Sequence, residues 1–415
     1  MKLKKNNNLS KVRNRKKCPV CLSRKINFLF RFIDTPFEDD FVTEKEKRIL
    51  QKTYPLVLAQ CKNCSHVFLK YVVDQSINYK FNFSYKTAVT KGLIRHYDDF
   101  FKKLILKYNI KKKSLCVDIG SNDGSILNLL RKKRMNPLGV EPSISLSNAA
   151  NKKGFKTLNS FFTENTVKKI KKKYGKAKLI VTNYTFANIE NILKFTKNIK
   201  NLLDKDGIVV LETGYHPKQM KNNMFDYIYH EHYSYFSLEN LNYLFSKCGM
   251  RIVSAEITKP KGGSIRVIAS LFNNERKVSS SIEKIIKNEN KAGINKVKFY
   301  KKFYEKNIRN KINLRKKLWK MKQKGKTIVG FGASHSTTRL IYEYELENFL
   351  SYIVDDNKNK QNLYSPGYHL PVYSVNKIYK DKIDVVLILA WQHKKSIISK
   401  HKKFIKTKGR FLLPF

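Results

Sequence analysis

The sequence predicts an α/β protein in three parts: an N-terminal domain built round cysteine pairs, a central doubly wound parallel sheet, and a smaller C-terminal α/β domain. Three observations carry this. Two C-x-x-C pairs stand at Cys18/Cys21 and Cys61/Cys64. Between residues 100 and 257, apolar strand-length runs alternate with stretches of helical periodicity, the pattern of a parallel sheet flanked by helices. A second strand-loop-helix unit opens at Thr327.

Composition sets the limits. A chain of 415 residues allows two to four domains at roughly 100–200 residues each. Apolar residues make up 41% and aromatic residues 12%, as expected of a folded core rather than a disordered chain. No run of 18 or more apolar residues occurs, so no membrane span is expected. Met1 to Lys17 is basic and polar without the apolar core of a secretory signal, which predicts a cytoplasmic protein. The formal charge of +53 invites a nucleic-acid reading. The lysines, however, are spread from end to end, and Lys, Asn and Ile are abundant together, which a bias towards A/T-rich codons explains equally well. No specific nucleic-acid partner is expected, although non-specific adhesion at low salt follows from the charge alone.

In chain order, Cys18, Cys21, Cys61 and Cys64 offer four thiolates from two tight knuckles, the tetrahedral sulfur set that zinc prefers. Four protein ligands leave no open position, so the metal is expected to be structural, in a zinc-binding domain of residues 1–74. Redox-active pairs are the alternative. The residues between the pairs form an insertion, with strands expected at Ile26–Ile33 and Pro55–Gln60, and His66 is expected at the surface. From Asp74 to Tyr97 the chain is rich in tyrosine and phenylalanine and includes Tyr79 and His96. It reads as a linker or as a segment covering substrate. A helix is expected over Phe100–Tyr108.

Leu115 to Leu127 then reads as strand, tight loop and helix, with glycines at 120 and 124, where the absence of a Cβ would let backbone approach a ligand. About twenty residues on, Glu141 ends a second apolar run, the place where nucleotide sites of this Rossmann-like kind hold a ribose diol. The loop lacks the third glycine of the dinucleotide fingerprint and any Lys-Ser/Thr for triphosphate. It carries Asp118 and Asp123 instead. Carboxylates suit a ligand with an amino group and no phosphate, and S-adenosylmethionine (SAM) fits. Strands at Leu179–Asn183 and Gly207–Glu212 continue the sheet, and Asp118 to Asp123, Glu141 and Asn183 fall at the carboxyl ends of strands, where such sheets bind ligands.

Asp226 to Phe236 gathers two histidines, a carboxylate and several tyrosines, a setting for a general base. Its His230-Glu231-His232 lacks the spacing of a zinc-protease helix. Leu238–Phe245 is expected as helix and Arg251–Ile257 as strand. Ser264 and Arg266 follow a Gly-Gly turn, with a guanidinium suited to phosphate. Ser279–Lys324 reads as a charged helical connector. In the last unit, the loop at Ser334, His335 and Ser336 precedes a helix whose amides can hold an anion, and further strands are expected at Ile353–Asp355 and Val385–Ala390.

Taken in order, Val117-Asp-Ile-Gly-Ser-Asn-Asp-Gly124, Gly139-Val-Glu-Pro142, Tyr229-His-Glu-His232, Gly262-Gly-Ser264, Gly330-Phe-Gly-Ala333, Val354-Asp-Asp-Asn357 and the two cysteine pairs make the chain resemble the SAM-dependent deoxysugar C-methyltransferases. Those enzymes methylate C-3 of nucleotide-linked 4-keto-6-deoxysugars. The resemblance spans nearly the whole length. It implies a zinc-binding domain (1–74), a SAM methyltransferase domain (75–255) and a C-terminal α/β domain (256–415), with the sugar nucleotide between the last two, in a protein expected to be a monomer. It also implies His232 as the base, with Tyr229 and Glu231 beside it. The cofactor is expected on Asp118, Gly120, Ser121, Asn122, Asp123, Gly124, Glu141 and Asn183, and the substrate on Tyr79, Ser264, Arg266, Ser334 and Ser336. Two departures stand out: Ala187-Asn188-Ile189 where members often have Ala-His-Val, and Ser334-His335-Ser336 where many have a lysine. The competing readings are a methyltransferase for another acceptor, RNA or a small molecule, and a zinc-containing nucleic-acid-binding protein with a vestigial cofactor fold.

Overall fold

The computed structural model describes residues 12–74, 91–407 and 409–415. In the N-terminal part, β1 (Arg13–Asn14), β2 (Ile26–Thr35), β3 (Tyr54–Cys61), β4 (Val67–Leu69) and β5 (Tyr71–Val72) form two small antiparallel sheets. The central part contains β6 (Leu115–Ile119), β7 (Asn136–Glu141), β8 (Thr157–Asn159), β9 (Ala177–Asn183), β10 (Leu203–Gly214), β11 (Ser234–Tyr235), β12 (Met250–Thr258) and β13 (Ser264–Leu271). All but β11 make one seven-stranded sheet in the order β12-β13-β10-β9-β6-β7-β8. Its strands bury both faces, as a sheet covered by helices must. Val117, Ile180, Val209 and Leu211 point into one core with the helices Glu164–Tyr174, Ile192–Leu202 and Leu238–Lys247. Cys116, Leu179, Val181 and Val210 point into the other, under the helices Lys91–Lys107 and Ser125–Lys132.

The sheet departs from the expected all-parallel arrangement at one edge, where β13 runs antiparallel to both β10 and β12. The cause is the short connection at residues 259–263. A parallel return would need a crossover of a dozen or more residues. The central sheet therefore continues across the expected 255/256 division to Leu271.

The C-terminal sheet, β14 (Ile328–Phe331), β15 (Ile353–Asp355), β16 (Val372–Ser374), β17 (Val385–Ile388) and β18 (Arg410–Leu412), is parallel throughout in the order β16-β15-β14-β17-β18. The connector is two helices, Ser281–Ala292 and Val297–Gln323. The longer one lies on the N-terminal sheet, where Tyr304 stacks on Phe30 at 4.9 Å. The fully buried Arg339 joins the outer parts, its Nη2 donating to Glu343 Oε2 at 2.7 Å while Ile33 N donates to the same carboxylate oxygen at 3.0 Å. All three parts meet at residues 225–236, because β11 pairs with β4 and so extends the N-terminal sheet. Among the described residues, no helix is long and apolar enough to cross a membrane.

Candidate active site

The loop after β6 turns through three left-handed residues, Gly120 (φ +77), Asn122 (φ +51) and Gly124 (φ +80). The glycines are required by their neighbours as well as by φ. A Cβ on Gly120 would lie 2.2 Å from Thr185 Oγ1, and one on Gly124 would lie 2.8 Å from the Phe155 ring. Close approach to a ligand is therefore not needed to explain them. Glu141, at the end of β7, closes the loop by accepting Asn122 N on Oε2 (2.9 Å) and Ser143 N on Oε1 (2.8 Å). Its oxygens keep further lone pairs for a ribose diol. Burial pushes Asp118 up to about 8, with the nearby carboxylates Glu141 and Asp123 adding to the effect. Asp118 Oδ2 and Ser121 Oγ are buried without a hydrogen-bond partner among the described residues.

Three crowded carboxylates and an orphaned carboxylate oxygen fit a cationic ligand, and SAM brings an ammonium and a sulfonium. Asp123 itself caps the helix at Ser125, accepting that residue's N and Oγ on Oδ1 at 3.2 and 2.6 Å. Neither it nor Gly124 reaches the cavity wall. Replacing Glu141 with alanine removes the hydrogen bonds that close the loop and the carboxylate proposed to hold the ribose. It is expected to weaken SAH (the demethylated product of SAM) by on the order of 10–100-fold in calorimetry.

That wall encloses about 870 Å³. It runs from Asp118, Gly120, Ser121, Asn122, Glu141 and Asn183 past Tyr229, Glu231 and His232 to Ser334, His335 and Ser336. The cofactor loop, the histidine loop and the C-terminal helix N-terminus thus share one cavity. Tyr229 and His232 meet through a turn rather than a helix, His232 N donating to Tyr229 O at 3.0 Å. His232 Nδ1 faces the carbonyl of Tyr227 at 2.9 Å. A carbonyl only accepts, so Nδ1 carries the proton and Nε2 accepts the Tyr229 hydroxyl at 2.9 Å. Burial pulls His232 down to about 4, against the raising effects of the Tyr227 carbonyl and the Glu231 carboxylate. At neutral pH it is a neutral imidazole whose Nε2 lone pair accepts the Tyr229 hydroxyl. His230 points away, into a buried pair with Glu38 (Nδ1 to Oε1, 2.9 Å), and holds the loop to the N-terminal part.

The C-terminal part grips the same loop. Trp391 Nε1 and Gln392 Nε2 donate to Asp226 Oδ2 at 2.9 and 3.2 Å, and Tyr227 donates its hydroxyl to Gln392 Oε1 at 2.7 Å. His335 Nε2 lies 3.0 Å from Glu231 Oε1, and its Nδ1 lies 3.6 Å from Asp39 Oδ1. Burial would lower His335, but the Asp39 and Glu231 carboxylates prevail and raise it to about 9. A histidine raised on folding adds stability that is full below its ordinary value of 6.5 and is lost as the pH climbs through about 9. Wild-type melting temperature is therefore expected to fall over that window, and His335→Gln to flatten the fall.

The remaining expected residues divide. Ser334 and Ser336 lie on the wall with their hydroxyls 3.3 Å apart. Asn183 Oδ1 accepts Glu212 N at 3.1 Å. Ser264 is buried, bonded to the Tyr184 hydroxyl (2.8 Å) and the Pro260 carbonyl (2.9 Å). Arg266 has Glu212 as its partner rather than a position on the wall, with Nε and Nη2 donating to Oε2 at 2.9 and 2.7 Å. Tyr79 lies outside the described residues.

Sequence reasoning singled out His96 only within a stretch read as a linker or as a segment covering substrate, and gave Glu212 and Lys261 no role. His96 lines the cavity, and its Nε2 sits 3.0 Å from Oε1 of Glu212 behind the wall. Burial would raise the fully enclosed Glu212, but His96 and Arg266 hold it below the ordinary carboxylate value. The signal was Glu212's place at the carboxyl end of a strand.

The four cysteine sulfurs lie within 4.8 Å of one another. Cys18 and Cys64 are 3.6 Å apart and Cys21 and Cys61 are 3.4 Å apart, near the edge of about 3.8 Å that a tetrahedral Zn–S distance of about 2.3 Å implies. The knuckles repeat one another. Each ends in a left-handed residue, Leu22 (φ 66) and Ser65 (φ 56), and each offers a backbone amide to its first sulfur, Val20 N to Cys18 at 3.4 Å and Asn63 N to Cys61 at 3.3 Å. The site fits zinc. His66 is buried rather than exposed as expected, its Nε2 3.1 Å from Ser234 Oγ, so it ties β4 to β11 instead of facing water.

Comparison with known proteins finds a family match in each of three stretches of the chain. Residues 18–79 match a zinc binding domain family, residues 90–255 a methyltransferase domain family, and residues 259–415 the C-methyltransferase C-terminal domain family. The C-methyltransferase NovU of Streptomyces niveus is 28% identical over 404 residues, covering 97% of this chain and 96% of that protein. Among solved structures, a S-adenosylmethionine-dependent methyltransferase from Clostridium acetobutylicum is 13% identical with a TM-score of 0.37, covering 43% of this chain and 92% of that one. Magnesium protoporphyrin IX methyltransferase from Synechocystis is 14% identical with a TM-score of 0.35, covering 43% and 83%. The zinc-binding, methyltransferase and C-terminal C-methyltransferase stretches, matched in order along nearly the full length of a C-methyltransferase, make this chain a SAM-dependent C-methyltransferase.

Proposed function

We propose that the enzyme methylates a carbon α to the ketone of a nucleotide-linked 4-ketosugar, C-3 being the expected position, through an enolate formed by His232. The observation that carries this reading is the Tyr229 and His232 pair on the wall of the cavity that begins at the cofactor loop. Methylation at carbon needs a carbanion equivalent, and a proton next to a ketone is acidic enough only if a base is positioned for it. SAM, when bound, supplies an electrophilic methyl group.

His232 is fixed for the other half. Its Nδ1–H is anchored on the Tyr227 carbonyl, so Nε2 is the atom that takes the proton, once the Tyr229 hydroxyl turns aside for the substrate. Glu231 lies close enough to favour the imidazolium that results, and His335 holds Glu231 in place. The helix N-terminus behind Ser334 and Ser336 has amides and hydroxyls suited to a diphosphate, which supports a sugar nucleotide held between the central and C-terminal parts. The wall residues that would line up the carbon and the methyl group, about 3–3.5 Å apart, come from the central and C-terminal parts, and the N-terminal part braces the histidine loop through Glu38 and β4.

The test is incubation with SAM and a panel of nucleotide 4-ketosugars, followed by mass spectrometry. A product heavier by one methyl substitution is expected with at least one sugar. Absence of product from every member, with enzyme that binds SAH, contradicts the reading.

A further inference from the structure

An enolate carries its negative charge on the former ketone oxygen, and in an enclosed cavity that charge needs a fixed partner. His232 takes the proton and leaves this charge unanswered. The loop between β12 and β13 supplies an answer. Lys261 stands on the cavity wall with its Nζ 3.9 Å from the centroid of the Tyr184 ring. Tyr184 directly precedes Thr185, whose side chain abuts Gly120 of the cofactor loop. The charge of the ammonium also acts on His232, and the carboxylate of Glu212 acts on the ammonium. Lys261 therefore shares the cavity wall with the loop after β6 and with His232.

The backbone is shaped to put it there. Lys261 is left-handed at φ +50, and Gly262 and Gly263 follow at +76 and +123. A side chain other than glycine at such an angle costs energy and persists where the surroundings impose it, a condition that concentrates at active sites. The surroundings here are explicit. Gln219 Nε2 donates to the Lys261 carbonyl (3.3 Å), Asn222 Nδ2 to the Gly262 carbonyl (3.0 Å) and Ser264 Oγ to the Pro260 carbonyl (2.9 Å).

We propose that Lys261 is a catalytic residue whose ammonium, held over the Tyr184 ring, meets the ketone oxygen of the acceptor as it becomes an enolate oxygen. This rests on the ketone-acceptor reading above. The α-C–H electron pair becomes the enolate double bond while its proton goes to His232 Nε2, and the carbonyl π pair moves to the oxygen facing Lys261. That pair returns to the carbonyl as the new C–C bond forms and the S–CH3 bond breaks, leaving a neutral thioether. Lys261 remains an ammonium throughout.

The experiment compares wild type with Lys261→Met, Lys261→Gln and Lys261→Arg, using SAM and a ketosugar that the wild type accepts. SAH-induced melting shifts report on folding. Losing one such electrostatic contact is expected to lower kcat on the order of 10²–10³-fold in the Met and Gln variants. Lys261→Arg should recover much of it, with KM changed by less than about threefold throughout. With SAH in place of SAM in D2O, loss of the α-proton to solvent should slow in parallel, which a packing role would not produce. The Gln variant decides the matter if the Met variant does not fold. Turnover within about threefold of wild type in the Gln variant overturns the assignment and leaves the ketone reading standing. A wild type that turns over no ketosugar removes that reading and Lys261's role with it.

Discussion

Replacing His232 with alanine is expected to lower kcat by on the order of 10²–10⁴-fold, the range for loss of a positioned general base, while SAH binds as to wild type. The separation follows from placement. The residues proposed for the cofactor, Asp118, Ser121 and Glu141, belong to β6, the loop after it and the end of β7, whereas His232 is held by the Tyr227 carbonyl and the Tyr229 hydroxyl of its own loop. The pH profile should carry a second mark. Burial holds His232 near 4, so it is already unprotonated at neutral pH. The acid limb of kcat/KM due to this group should fall near pH 4 rather than at the ordinary histidine value. A limb from this group near 6.5, abolished in the variant, would show that the ring is far better solvated than its surroundings here require.

The second large effect belongs to the metal. Chelation of zinc, or Cys61→Ser, is expected to unfold the N-terminal part and to abolish activity with it. Structural zinc contributes apparent free energies on the order of 10–16 kcal/mol in isolated zinc modules, comparable with the whole stability of a domain. Cys18, Val20, Cys61, Cys64 and Phe68 belong to the same core as Val117 and Leu211 of the central sheet. The loss therefore does not stop at the knuckles. It also frees β4 from β11, the strand that follows His232 by two residues. One equivalent of zinc by elemental analysis, and a melting temperature lower by on the order of 10 °C or more in the serine variant, are the expected results. Full activity in metal-free protein would contradict them.

Much of this was legible in the chain. The thiolate pairs, the strand, loop and helix at 115–127 and the acidic end of β7 are local, and local pattern sets them. The aromatic-rich loop with two histidines also drew notice in the sequence, and the structure brings its Tyr229 and His232 to the cavity wall. What the pattern could not give depends on distant partners. Arg266 looked ready for phosphate, yet Glu212, 54 residues away, neutralises it inside the sheet. His66 looked like a surface residue until β11 supplied Ser234 across the join. His335 reads as a plain substitution in sequence, and its charge comes from Asp39 and Glu231, which only the folded chain assembles round it. The β12–β13 edge was misjudged because the strand signal carries no direction. The five-residue connection was the clue.

The most direct test of the account is solvent exchange at the carbon to be methylated. With SAH bound, in D2O, wild-type enzyme is expected to replace the proton α to the ketone of an accepted nucleotide 4-ketosugar with deuterium, and His232→Ala to lose that exchange while still binding SAH. Exchange at the wild-type rate in His232→Ala, or none in wild type that methylates the sugar, would contradict it.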